Sequence, residues 1–385
     1  MNTGMSFRCR TAIASDGIIG PQTSASIVPG SNITENLAMK LFIGLDLGLN
    51  KTAICAIDED GSNVLQVTAR SEPAEIIAKL SKLKGEITQV GLEARPLSEW
   101  IYGALQDAGF PVFCLETRHT QRFLSTRPNK TDRNDAHGIA TMMRVGHFKP
   151  VHVKSRRSQF VRSLLIGRRQ FMTAMLQIEN TIRALLRTQG LKLGKVHRCQ
   201  FSERVKELCN EEPMLLPAIE PLLTARDEMR TQMRKLNNAL ERASRADPIC
   251  KLFQTIPDVR PLTALAFKAT IDDPGRFKRS KLVPAHLGLT PRVYQSGEID
   301  RSGHVSKSGD KLLRYLLVEA ATSMMLVSKK WCSLKAWAMK VAKRSGTAKA
   351  IVALARRIAI VMHQMWVTGE CFRFGKDDQP GAVTA

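Results

Sequence analysis

The chain has 385 residues, with 58 Lys and Arg against 35 Asp and Glu, a net charge of +23, and is 43% hydrophobic. That length allows two or three domains with a sizeable core, and the charge sets the chain apart from the near-balance of an ordinary metabolic enzyme, pointing to a polyanionic partner, nucleic acid before lipid. No apolar run reads as the roughly 20 residues that span a bilayer, and eight cysteines without a CxxC pair or His/Cys ligand spacing read as reduced thiols, not as a disulfide frame or zinc site.

Residues 1–38 are small, polar and irregular, without the apolar centre of a signal peptide, and read as a disordered leader or a mis-assigned start. From Lys40, "KLFIGLDLG", "TAICAIDE" and "NVLQVTAR" are three β-rich runs divided by turn residues, an antiparallel meander. "PAEIIAKLSKL" has helical periodicity, "ITQVGLE" reads as a buried strand, "LSEWIYGALQDAG" as a helix stopped by Gly109, and "PVFCLE" as another strand. Three strands followed by alternating helix and strand predict an α/β domain on a mixed sheet over residues 39–150, closed by a helix that carries Asp132 and Asp135.

Over residues 151–248 two long amphipathic helices are expected to fold back as an antiparallel coiled-coil hairpin. The first carries Arg156, Arg157, Arg162, Arg168, Arg169, Arg183 and Arg187 against Glu179 alone. A charged face is ordinarily just solvated, but one so one-sided fits phosphate contact better. Residues 249–370 read as a mainly α domain containing the Gly-rich polar loop "GLTPRVYQSGEIDRSGHVSKSGDKLLR", and residues 371–385 as a flexible tail.

The acids are the sharper signal. In "KTDRNDAHGIA", Asp132 and Asp135 share one helix face, where two carboxylates repel unless a cation neutralises them. Alone, such a pair is more often an ordinary solvated turn offset by Lys130 and Arg133. Asp46, however, interrupts the apolar run "LFIGLDLG", and Glu93 ends "ITQVGLE" in the same way, and a charge in a buried run is costly unless paired or metal-bound. Four such carboxylates suit two divalent metals acting on a phosphodiester. "IGLDLGLNKT" is also similar to the first phosphate loop of the actin, hexokinase and heat-shock ATPases, but no second such loop follows.

With "GLDLGLNKT", "GLEA", "NKTDRNDA" and the downstream "LGLTPRVYQSGEIDRSGHVSKSGDKLLRYLLVEAA", the chain resembles the DEDD transposases of bacterial insertion sequences, relatives of the Piv-type invertases, from Met39 to about Gly369. The resemblance implies an N-terminal RuvC/RNase H-like domain whose Asp46, Glu93, Asp132 and Asp135 bind Mg²⁺ (or Mn²⁺), and a C-terminal transposase domain whose serine, here Ser296, attacks DNA to give a phosphoserine. Ser302, Ser306 and Ser308 lie close by, and a serine in a Gly-containing loop is otherwise a turn residue. It further implies DNA as substrate, an element-encoded guide RNA and a homo-oligomer (dimer or tetramer); with the charge pattern and the lack of a spanning run, the expectation is a cytoplasmic, nucleoid-associated location with no membrane, and nucleic-acid contacts at Arg156, Arg157, Arg162, Arg168, Arg169, Lys307 and Arg314. In "TIPDVRPLTA", Asp258 and Arg260 stand where the family's DNA-gripping hairpin has glycines. A metal-dependent junction nuclease without a covalent intermediate, and a DNA-binding protein with a decayed site, are the alternative readings.

Overall fold

The structure, a computed structural model, describes residues 39–125, 129–297 and 299–375, so the leader and most of the tail lie outside the described residues. The chain divides between Val151 and His152 into two compact units.

The first unit opens with β1 (Lys40–Leu47), β2 (Lys51–Ile57) and β3 (Asn63–Arg70), followed by α1 (Pro73–Leu80), β4 (Glu86–Glu93), α2 (Ser98–Asp107), β5 (Val112–Leu115), α3 (Thr117–Leu124) and α4 (Asp132–Arg144). The sheet order is β3-β2-β1-β4-β5, with β2 antiparallel to its neighbours and β1, β4 and β5 parallel. The expected meander and mixed sheet are therefore present. Alternation along a strand puts every second residue on one face. In β1 that places Gly44 and Asp46 together, and in β4 Gly91 and Glu93. Gly44 pairs with Gly91 in the β1–β4 register, so the two glycines lie side by side and the two acids follow one step further along.

The glycines explain where α4 goes. A Cβ on Gly44 would stand 2.1 Å from the Ala136 carbonyl oxygen and 2.4 Å from the Ala140 nitrogen, and one on Gly91 would stand 2.5 Å from Met143 Sδ. Helix α4 thus lies against bare sheet backbone, burying Ala136, Ile139, Ala140 and Met143 at i, i+3, i+4 and i+7. Full burial of Ile139 and Met143 contributes about 1.5–3 kcal/mol each. Thr131 caps the helix, its hydroxyl accepting from the Asn134 N–H at 3.2 Å.

The second unit contains α5 (Arg156–Thr188), α6 (Phe201–Cys209), α7 (Leu216–Arg245), α8 (Pro248–Phe253), α9 (Pro261–Ile271), α10 (Val283–His286), β6 (Pro291–Ser296), β7 (Ile299–Val305), α11 (Lys311–Leu326), α12 (Ser333–Ser345) and α13 (Thr347–Thr368). Helices α5 and α7 run antiparallel: Arg168 Nε donates to Asn237 Oδ1 at 2.7 Å, while further along α5 Glu179 meets Arg226, earlier in α7, at 2.9 Å. Their far ends close over α6 in one apolar cluster, and their near ends join the main core with α9, α11 and α13 through Leu165 and Leu240.

Two expectations are corrected. The Gly-rich stretch read as a loop forms a β-hairpin, β6–β7, in register from Pro291↔Val305 to Ser296↔Ile299. All of β6 is exposed, so no apolar face alternated in the sequence to announce it. An apolar run long enough to cross a membrane also exists, α13, but it carries Arg356 and Arg357 and buries Leu354, Ile358, Met362 and Met365 in the core of this unit.

Candidate active site

Asp46 and Glu93 are 5% and 0% exposed on neighbouring strands, and Asp135 is 7% exposed in the first turn of α4, whereas Asp132, the first residue of that helix, faces solvent. Carboxylates in a first helical turn gain from the positive end of the helix dipole, which offsets part of the repulsion between Asp132 and Asp135. The four acids share one electrostatic neighbourhood. Burial pushes the Asp46 carboxyl up from 3.8 to about 6; Arg95 opposes this, and Asp135, Asp132 and Glu93 each add to it.

The sequence reading missed Arg95. Its Nη1 meets Asp46 Oδ1 at 3.2 Å, an ion pair without the alignment of a hydrogen bond, and its Nη2 and Nε meet Glu93 Oε2 at 2.8 and 2.9 Å. Burial works against the Arg95 charge, but Asp46, Glu93 and Asp135 outweigh it and raise its pKa. Among the described residues no three His, Cys, Asp or Glu side chains gather closely enough to ligate one ion; a guanidinium bridges Asp46 and Glu93 instead. The donor set nevertheless fits a hard divalent cation. All four candidate ligands supply oxygen, and Glu93 Oε1 is buried without a hydrogen-bond partner. A signal for Arg95 was present in "GLEAR", where a cation follows a buried acid by two residues.

Ser296 belongs to the second unit. It is exposed at the end of β6, beside the turn at Gly297, whose φ is +56°. Among the described residues no base hydrogen-bonds its hydroxyl. Ser306 and Ser308 pair with each other at 3.0 Å, and the side chain of Ser302 lies outside what is described. The "KSGDKLLR" segment secures the root of this hairpin. Gly309 packs where a Cβ would stand 2.2 Å from the His286 carbonyl oxygen, Asp310 caps α11 through the Leu313 N–H at 2.7 Å, and Arg314 donates to the carbonyls of Leu287 and Ser308.

Several expected nucleic-acid contacts have partners inside the protein. Arg157 meets Asp247 at 3.1 Å, Arg162 meets Asp310 at 2.7 Å, and Arg168 is engaged with Asn237. Arg156 and Lys307 are exposed. Arg169 lies over the Tyr315 ring at 4.4 Å with Nη1 buried and unpartnered, in a cleft of about 920 Å³ that also takes in Arg168, Arg198, Asp258 and Arg260. Asp258 has φ +64°, the conformation a glycine supplies most easily, and the Ser323 hydroxyl donates to its Oδ1 at 2.8 Å, so the turn before α9 forms without a glycine.

Sequence models of two transposase families match this chain, the DEDD transposase model of IS110 over residues 43–189 and that of the IS116/IS110/IS902 transposases over residues 250–337. The chain belongs to the DEDD insertion-sequence transposases. Among its relatives, the transposase of insertion sequence element IS1111A from Coxiella burnetii is 28% identical over 341 residues, 86% of this chain and 91% of the relative. A probable family 20 transposase of Pseudomonas aeruginosa is 26% identical, covering 74% of this chain and 86% of the relative. The solved structure of Thermus thermophilus RuvC aligns with 29% of this chain and 99% of its own, at 16% identity and a TM-score of 0.22. At that score the match adds nothing to the sheet topology described above.

Proposed function

We propose that this transposase cleaves and rejoins DNA with two groups of residues on separate units: Asp46, Glu93, Asp132 and Asp135 as ligands for Mg²⁺ (or Mn²⁺), and Ser296 as the nucleophile. The observation that carries the reading is the buried acidic cluster, in which Asp46 is pushed up to about 6 by burial and three neighbouring acids while Glu93 keeps an unpartnered oxygen. A cluster so costly to the bare protein is what a cation-binding site requires. Divalent cations bound there supply charge to activate an attacking oxygen and to stabilise a leaving one. In the proposed step the Ser296 Oγ–phosphorus bond forms as the bond from phosphorus to a strand oxygen breaks, and the serine proton passes through water to that oxygen, which leaves as a hydroxyl.

The net charge of +23 and the Arg-lined cleft support DNA as the partner. A guide RNA encoded by the element, a dimeric or tetrameric assembly, and a cytoplasmic, nucleoid-associated location belong to the same reading through the family resemblance, and the antiparallel pair α5/α7 as a true coiled coil belongs to it through the amphipathic pattern of the two helices. The test is a search for a covalent protein–DNA adduct, using Mg²⁺, DNA spanning the element's joined ends and RNA from its flanking non-coding region. The adduct is expected with the wild type and absent with Ser296→Ala and Asp132→Ala.

One observation favours a second reading. Among the described residues no base hydrogen-bonds Ser296, and a serine hydroxyl needs activation. A junction nuclease using the carboxylates alone would cut without an adduct and would not notice Ser296→Ala.

A further inference from the structure

The acidic site contains its own cation. Arg95 bridges two carboxylates on neighbouring parallel strands, with Nη1 on Asp46 at 3.2 Å and Nη2 on Glu93 at 2.8 Å. The grip is incomplete, because the Asp46 contact lacks hydrogen-bond alignment and Glu93 Oε1 has no partner at all. The Arg95 side chain is 32% exposed, so it has an open route to solvent. Its backbone is pinned: the Arg95 carbonyl accepts from the Ser98 hydroxyl at 2.7 Å and the Ser98 N–H at 3.0 Å, and the next residue back, Ala94, donates to the Leu115 carbonyl at 3.1 Å. Only the side chain needs to move for the guanidinium to leave.

We propose that Arg95 is the exchangeable counter-cation of the site, a positioning residue that holds Asp46 and Glu93 in place without metal and must release them when a divalent cation enters. This rests on the metal-binding reading above. A guanidinium and a divalent cation repel each other and compete for the same carboxylate oxygens, so every metal-binding event includes displacement of Arg95. Arginine remains charged throughout the usable pH range, so lowering its own charge cannot relieve the competition.

Competition makes removal of Arg95 act in two opposite directions. The metal-free protein loses a partly buried cation between two buried acids and becomes less stable. The metal-bound protein no longer has to expel that cation, and binds metal more tightly. An arginine with a purely structural role would produce only the first effect.

The experiment is a calorimetric titration of Mn²⁺ into the full-length wild type, Arg95→Met, Arg95→Lys and Asp46→Asn, paired with thermal unfolding in EDTA and in excess Mn²⁺. Arg95→Met is expected to melt lower in EDTA, to bind Mn²⁺ on the order of tenfold tighter, and to show a larger Mn²⁺-induced rise in melting temperature. Arg95→Lys keeps a charge without the two-pronged fork, and falls between Arg95→Met and the wild type in both assays. It carries the test if Arg95→Met does not fold. Equal or weaker Mn²⁺ binding by the Arg95 variants, with binding lost in Asp46→Asn, would overturn the inference while leaving the metal site standing. No binding by the wild type or any Arg95 variant would remove the metal reading and the inference with it.

Discussion

Asp46→Asn, measured without metal, should make the protein more stable. The carboxyl is held up to about 6 against an ordinary 3.8, so its ionisation in the folded state costs about 3 kcal/mol at neutral pH, net of the attraction of Arg95. Asparagine keeps the shape and removes the charge. At pH 8 in EDTA the variant should gain up to about 3 kcal/mol, or roughly 10 °C in melting temperature for a unit of this size. The dependence on pH has a definite sign. Because the folded pKa lies above the unfolded one, the folded protein retains a proton that the unfolded chain has already lost, so wild-type stability falls as pH rises from about 4 to about 6. The advantage of the variant should therefore shrink as pH is lowered from 6 to 4. Excess Mg²⁺ should reverse the order by stabilising the wild type alone. An Asp46→Asn protein no more stable than the wild type at pH 8 in EDTA, or one whose advantage ignores pH, would refute the idea that burial and the neighbouring acids make a charged Asp46 costly.

Gly44→Ala drives a Cβ to 2.1 Å from the Ala136 carbonyl oxygen, a backbone atom that cannot swing aside, so α4 must lift off the sheet; the expected loss is about 3 kcal/mol in urea unfolding, together with strand cleavage. Gly103→Ala, in α2 with nothing within 4 Å of the new methyl, is the control and should stabilise by up to about 1 kcal/mol. Arg226, 1% exposed and paired with Glu179 at 2.9 Å, should cost about 3–5 kcal/mol when replaced by methionine, and adding Glu179→Gln should recover part of that in the same unfolding assay. Asp272 behaves oppositely to Asp46. Burial would raise it, but hydrogen bonds from Ser155, Ser158 and His152 hold its carboxyl at about 2, so it contributes about 2 kcal/mol above pH 4 that is lost as pH falls towards 2. Asp272→Asn, which tolerates the same φ of +66°, should remove that contribution at pH 7 and flatten the acid limb of a stability–pH curve.

How much was legible in the sequence followed the range of the interactions. The meander and helices α5 and α7 announced themselves through local periodicity, and "GLD" and "GLE" marked two strands on which a glycine seats α4 and an acid follows on the same face. The arginine face of α5 shows what local reading leaves out. As a run it looked free for phosphate, but Asp247, Asn237 and Asp310, which engage Arg157, Arg168 and Arg162, lie 90, 69 and 148 residues away. The bridge from Arg95 to Asp46 was invisible because it depends on β1 lying beside β4, and the β6–β7 hairpin because a fully exposed strand has no buried face to pattern.

That exposure bears on the chemistry proposed for Ser296. A lone two-stranded hairpin is marginal in water, and this one presents Val293 and Tyr294, each 64% exposed, to solvent. Its root is clamped by Arg314 and Gly309, whereas Ser296, at the end of β6, is exposed and among the described residues has no base hydrogen-bonded to it. Three of the acids are the reverse: Asp46, Glu93 and Asp135 are buried, two on a sheet and one on the α4 that its glycines hold against it. On the proposed reading neither part suffices for cleavage, since the serine needs an activator and the carboxylates need a nucleophile. A cut that needs both, whether from one chain or from two copies, would restrain an enzyme of so strongly basic a composition from cutting every DNA it touches. Mixing Ser296→Ala with Asp46→Ala protein tests the version in which copies share sites: adduct formation restored in the mixture requires one chain's serine to work with another's acids, and a mixture that stays inactive excludes that sharing.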